Sequence, residues 1–182
     1  MKYGGIISKC NPSQTHEELN DLLLELEGFN IQNVLEIGVH LGGSIKVWEE
    51  VFKPNILIGI DGQITPEFSK IDGVCKIKGY SQSNETFNKA KEALNGEQLD
   101  FLFIDGSHYY NDVKIDFQMY KELVRPGGVI AFHDVILTGN DTCEVYKFWN
   151  ELVGSGQYKT KTISYKDQFG PSATGCGIVF LN

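Results

Sequence analysis

Two short stretches concentrate groups that can bind a ligand or move a proton. The stretch "IDGSHYY", Ile104 to Tyr110, closes an apolar run with Asp105, a glycine, a hydroxyl and His108. The stretch "FHDV", Phe132 to Val135, closes another with His133 and Asp134. A carboxylate at the end of a run covered on both faces is costly unless it meets water, a partner or a metal. Each residue alone has an ordinary reading, a turn cap for the acids and a structural hydrogen bond for the imidazoles. Their conjunction on adjacent strands favours chemistry.

A glycine-rich loop, "EIGVHLGGS" from Glu36 to Ser44, joins an apolar run to a helical stretch and holds Gly38, Gly42 and Gly43. Glycines at such a turn let a ligand approach the backbone and leave helix N-terminal amides free, as in nucleotide-like cofactor sites. The GxGxxG spacing of dinucleotide binders is absent, and Glu36 would repel a pyrophosphate, so a cofactor with a cationic or neutral head is expected. Downstream, "GIDGQ" places Asp61, followed by Gly62, where doubly wound folds keep an acid for a ribose diol. Its distance from Glu36 is close to the roughly 20-residue offset of that acid.

These residues need a scaffold, and the chain alternates short β-rich apolar runs with longer stretches of helical spacing. That alternation predicts a parallel sheet with crossover helices. A first helix opens near Thr15, where "THEE" offers a capping box with Glu18, and Leu19, Leu22, Leu23 and Leu26 fall on one face. Strands follow at "NVLEIG", "ILIGID", "CKIKG", "LDFLFID" and "GVIAFHD". Helices lie at "SIKVWEEVF", "NETFNKAKEALN", "DVKIDFQMYKELV" and "EVYKFWNELV", the third stopped by Pro126 and Gly127. Pro66 opens a loop after the second strand. The runs "YKTKTISY" and "CGIVFL", joined through Gly170, Pro171 and Gly175, read as an antiparallel pair.

The whole chain sets outer bounds. Its 182 residues, 41% hydrophobic and 22% charged, suit one domain over residues 1–182 with an ordinary core. A net charge of -8 with no basic run argues against nucleic acid as a partner. Cys10, Cys75, Cys143 and Cys176 form no CxxC pair, so neither a zinc site nor a disulfide framework is expected, and they read as thiols of a reducing compartment. No stretch nears the roughly 20 apolar residues of a membrane span, and the N-terminus lacks a signal core, so a cytoplasmic location with no membrane partner is the expectation.

Taken together, "VLEIGVHLGGS", "IGID", "LDFLFIDGSHYY" and "LVRPGGVIAFHDV", in that order, resemble the class I S-adenosylmethionine-dependent methyltransferases. The resemblance covers nearly the whole chain. It implies an α/β, doubly wound, Rossmann-like fold whose seven-stranded, mostly parallel sheet has the order 3-2-1-4-5-7-6, strand seven antiparallel. It implies S-adenosylmethionine as cofactor, with Glu36, Gly38, His40, Gly42, Gly43 and Ser44 about the methionine part, Asp61 and Gly62 at the ribose, and Gly79, Tyr80 and Ser81 toward the adenosine. Ser83 or Asn84 also suits a helix cap there.

More narrowly, "IDGSHYY" with "RPGGVIAFHDV" resembles the small-molecule O-methyltransferases that use a divalent metal, among them sugar, macrolide and catechol-type enzymes. That likeness puts Mg²⁺ on Asp105, His133 and Asp134, although His133 stands where a carboxylate is usual and Mg²⁺ prefers oxygen. The implied reaction is methyl transfer to a small-molecule hydroxyl, with Asp105 beside the reacting groups and His108 or His133 taking the proton. Tyr109, Tyr110 and Trp149 are candidates for an acceptor pocket, Trp149 also fitting the core. A homo-oligomer whose second subunit supplies a lid is a further expectation. Two competing readings share the motifs: a non-catalytic S-adenosylmethionine-binding module, and a related enzyme of the hydroxylase type.

Overall fold

The computed structural model describes residues 1–137, 142–166 and 173–182, with side chains throughout these except at 165, 166, 173 and 174. Seven strands, β1 (Asn33–Ile37), β2 (Ile56–Asp61), β3 (Cys75–Lys78), β4 (Leu99–Ile104), β5 (Val124–Phe132), β6 (Lys159–Lys166) and β7 (Ala173–Phe180), form one sheet in the order β3-β2-β1-β4-β5-β7-β6. The first five are parallel, and β7 runs antiparallel to both β5 and β6. This is the order and sense that the sequence led us to expect. Gly170 and Pro171, expected in the loop of the final hairpin, lie outside the described residues.

Strand periodicity divides the core between the two faces of the sheet. In β4, Phe101 and Phe103 face one side, toward α1 (Gly4–Cys10), α2 (His16–Glu25) and α3 (Gly43–Phe52). Leu102 and Ile104 face the other, toward α5 (Asn84–Ala93), α6 (Tyr110–Tyr120) and α7 (Val145–Gly154). Each fully buried side chain of this size stabilises by about 1.5–3 kcal/mol. Trp48 of α3 adds edge-on contacts to Phe101 and Phe103, ring centroids 5.3 Å apart in both pairs. Trp149 is buried in the opposite half, its Nε1 donating to Thr162 Oγ1 at 3.1 Å, which leaves it a core residue.

The capping box of α2 forms as read: Thr15 Oγ1 accepts from Glu18 N, and the Glu18 carboxylate accepts from Thr15 N at 3.1 Å. Ser83 caps α5 by accepting from Thr86 N. Elsewhere the structure departs from expectation. Helix α1 is additional, opened by two glycines and lacking a side-chain cap, so it carries no helix-start signal. Pro66 opens not a loop but a helical turn, α4 (Pro66–Ser69), where its missing N–H costs nothing. Pro126 and Gly127 do not end α6, which stops at Tyr120 before a 3₁₀ turn. They lie inside β5, where the register slips against β4 and a residue without an N–H is tolerated.

Candidate active site

The predicted residues meet because the ladder runs one residue past the strands. Asp105 N donates to Ile37 O at 2.9 Å, and His133 N donates to Ile104 O at 3.1 Å. Gly38 N donates to Ile60 O, and Gly79 N to Asp61 O. The carboxyl ends of five parallel strands therefore form a continuous edge, the place where this architecture binds ligands. Gly38 sits at its tightest point. Its φ is +89°, and a Cβ there would lie 2.0 Å from the Asp105 carbonyl oxygen, so only glycine fits.

A cavity of about 330 Å³ opens along this edge. The β1 end supplies Ile37, Gly38 and His40, the β2 end Ile60, Asp61 and Gly62, the β3 end Gly79 to Gln82, and the β4 end Asp105 to Ser107. Asp61 is anchored by two backbone amides, His40 N at 2.8 Å and Gln63 N at 2.9 Å. His40 reaches the cavity wall through a left-handed φ of 51°. Gln82, which the sequence reading did not single out, donates to the buried Asp116 of α6 at 2.9 Å. Burial pushes the Asp116 carboxyl up to about 7 against the hydrogen bonds from Ser81 and Gln82.

Four residues expected about the cofactor stand away from this cavity. Ile37 and Ile60 line it from the α5–α7 side of the sheet, so Glu36, one residue earlier in β1, points to the opposite face. There its carboxylate accepts hydrogen bonds from Ser44 Oγ and from Trp48 Nε1, the latter at 2.7 Å. Full burial raises Glu36 to about 8, with the nearby Asp105 adding to the rise and the two hydrogen bonds opposing it. Gly42 and Gly43 serve packing, since a Cβ would strike Ile71 at the first and Pro12 at the second. Tyr109 and Tyr110 also lie off the cavity, Tyr109 exposed and Tyr110 bonded to Glu151 and packed on Phe148.

On the α1–α2 side of the edge, strand periodicity gathers the second group. His133 Nδ1 lies 3.3 Å from Asp105 Oδ1 and 3.2 Å from Asp134 Oδ2, and His108 Nε2 lies 3.1 Å from Asp134 Oδ2. Asp134 holds its place through a left-handed φ of 59°, which Asp tolerates better than most residues. Burial alone would drive His133 neutral, but Asp105, Asp134 and Glu18 outweigh it and hold its pKa well above the usual imidazole range. Burial would likewise raise Asp134, yet hydrogen bonds from His108 and His133 hold it well below the carboxylate range. The hydrogen bond to Asp134 raises His108.

Two members of this group escaped the sequence reading. Gln14, in the α1–α2 connection, donates through Nε2 to Asp105 Oδ2. Glu18, fully buried, faces His133 Nε2 at 3.7 Å, beyond hydrogen-bond reach. The capping box pointed to Glu18 for local reasons only. Nothing local marks Gln14, whose partner lies 91 residues away.

Solved methyltransferases share this sheet and its loop-bearing edge. The MycE methyltransferase of the mycinamycin biosynthetic pathway, in complex with Mg and SAH, aligns with a TM-score of 0.70 at 17% identity over 100% of this chain and 55% of its own. The O-methyltransferase of Bacillus cereus, in complex with SAH, gives 0.66 at 17% identity over 96% and 87%. TomG of Streptomyces achromogenes, an O-methyltransferase involved in tomaymycin synthesis and solved with SAM, gives 0.66 at 17% over 98% and 88%. The fold is thus that of the class I S-adenosylmethionine-dependent methyltransferases.

The family described as "Methyltransferase domain" matches residues 35–135, and this chain belongs to it. Among curated relatives, protein R132 of Acanthamoeba polyphaga mimivirus is 39% identical over 113 residues, 55% of this chain and 50% of the relative. Protein y4gI of Sinorhizobium fredii is 34% identical over 68 residues, 37% of this chain and 7% of the relative. The chain spans half the length of the first and a small part of the second.

Proposed function

We propose that this chain transfers the methyl group of S-adenosylmethionine to a hydroxyl of a small molecule, of the sugar or natural-product class, beside a divalent cation. The observation that carries the reading is the junction at Asp105: the cavity and the acid–imidazole group share this residue, so a cofactor in one lies next to an acceptor at the other. A cavity of about 330 Å³ is of the size that small-molecule sites take. On this reading Asp61 receives the ribose hydroxyls on the lone pairs its two amide bonds leave. Gly38 and His40 flank the methionine part, and Gly79, Tyr80 and Ser81 frame the adenosine. Glu36, Gly42, Gly43 and Ser44 shape the loop from behind. That MycE and TomG belong to natural-product syntheses supports the acceptor class.

Asp105, His133 and Asp134 would hold the cation, since their donor atoms lie within 4.8 Å of one another. When bound, such an ion lowers the pKa of a hydroxyl it contacts. The proton goes to His108, which is half exposed and whose Nε2 is held by Asp134, leaving Nδ1 to accept. As the carbon–oxygen bond forms, the carbon–sulfur bond breaks; the products are a methyl ether, S-adenosylhomocysteine and a proton on His108. In calorimetry, Asp61→Ala should weaken S-adenosylmethionine binding by roughly tenfold or more, the loss of a hydrogen bond to a charged group. Unchanged affinity would count heavily against this reading. Product mass separates methyl transfer from hydroxylation, and cofactor binding without turnover would mark a binding module.

A further inference from the structure

We infer that the cation accepted by Asp105, His133 and Asp134 is a nitrogen-binding transition metal of the iron-to-zinc kind and not Mg²⁺, with Glu18 positioning His133 as a ligand. The inference rests on the metal-assisted reading above. The separations of 3.2 and 3.3 Å from His133 Nδ1 to the two carboxylate oxygens are those of neighbouring ligands about 2.1 Å from one ion. The middle donor is therefore a nitrogen. Mg²⁺ takes oxygen ligands and gives up its waters reluctantly, whereas imidazole suits iron, nickel, copper and zinc.

The surroundings of the donors support the same assignment. His133 is 12% exposed, so its ring has little room to leave the group and let water take its place. Its far nitrogen, Nε2, is buried without a hydrogen bond and faces the Glu18 carboxylate at 3.7 Å. A carboxylate behind an imidazole is the usual outer partner of a metal-binding histidine, where it fixes the ring and raises its basicity. Glu18 is itself pinned by the capping box at the start of α2. Gln14, also buried, donates to Asp105 Oδ2 and leaves Oδ1 turned toward His133. Each of the three donors is thus oriented by a neighbour, Asp134 by His108.

The test is titration of the purified protein with Co²⁺ alone and Mg²⁺ alone, Co²⁺ followed by its visible absorption and both ions by the shift in melting temperature. His133→Asn, which keeps an oxygen donor at that place, should lower Co²⁺ affinity by roughly 10- to 100-fold while changing Mg²⁺ little, so the ratio collapses. Glu18→Gln keeps the capping box and should weaken Co²⁺ binding about tenfold, and it serves as the second variant if His133→Asn fails to fold. The change in ratio is decisive, because any such site favours the later first-row ions. The inference is overturned if both variants keep the wild-type ratio, or if Mg²⁺ displaces Co²⁺. A thiolate-to-metal band that Cys143→Ser abolishes also overturns it, because His108, Asp134 and Cys143 form a second donor group. Methyl transfer that persists with Mg²⁺ as the only divalent cation present overturns the inference and leaves the proposed function standing. Co²⁺ bound through His133 with no methylated product supports it and removes that function.

Discussion

Gly38 and Gly62 both line the cavity, and their substitution by alanine should differ sharply in cost. At Gly38 a methyl group would meet the Asp105 backbone at 2.0 Å on a left-handed φ, whereas at Gly62 nothing lies within 4 Å. Gly38→Ala should therefore destabilise by more than about 3 kcal/mol, and Gly62→Ala by less than about 0.5 kcal/mol, in denaturant titrations. Single residues were legible where strand ends alone decide position. Asp105, His133 and Asp134 each follow an apolar run, and the parallel ladder brings them together. Glu36 was not legible: its type suits a cofactor site, but its place one step before the strand end turns it to the far face, onto Trp48. Gln14 was silent because a polar side chain in a connection has no periodicity to betray a partner 91 residues away.

At the scale of elements, α2 carries more than its length suggests. It buries Leu19, Leu22 and Leu23 against the sheet and sets Glu18 behind His133. Thr15→Ala removes the acceptor that ties the helix start together. It should cost about 1 kcal/mol, lowering the melting temperature by about 2–4 °C in calorimetry. Elements with a strong local signal were read well: the capping box of α2, the Ser83 cap of α5 and the apolar strands all stand where expected. Helix α1 was missed because two glycines open it and its stability comes from packing Ile7 and Cys10 into the core. The end of α6 was misplaced because Pro126 and Gly127 serve as a helix stop and as a strand irregularity equally well.

For the molecule as a whole, the alternation of strands and helices made a parallel sheet with crossover helices legible, and the strand order followed from the resemblance to the class I methyltransferases. The division of chemistry between its two faces was not, since that depends on register, and register belongs to the assembled sheet. Its stability should also depend on pH through the buried Glu36. A carboxyl raised to about 8 holds a proton in the folded state that the unfolded chain has released. Its contribution is thus fully present below about pH 4 and lost as pH rises through about 8. Glu36→Gln, able to accept from Trp48 and donate to Ser44, should flatten that decline in melting temperature between about pH 5 and 8 relative to wild type.

Asp105 belongs to both faces at once, its backbone against Gly38 at the cavity and its carboxylate against His133 and Gln14. Occupants of the two regions would therefore close a thermodynamic cycle through one residue. Any factor by which a cation tightens the grip on the methyl donor must return, unchanged, as the factor by which the donor tightens the grip on the cation.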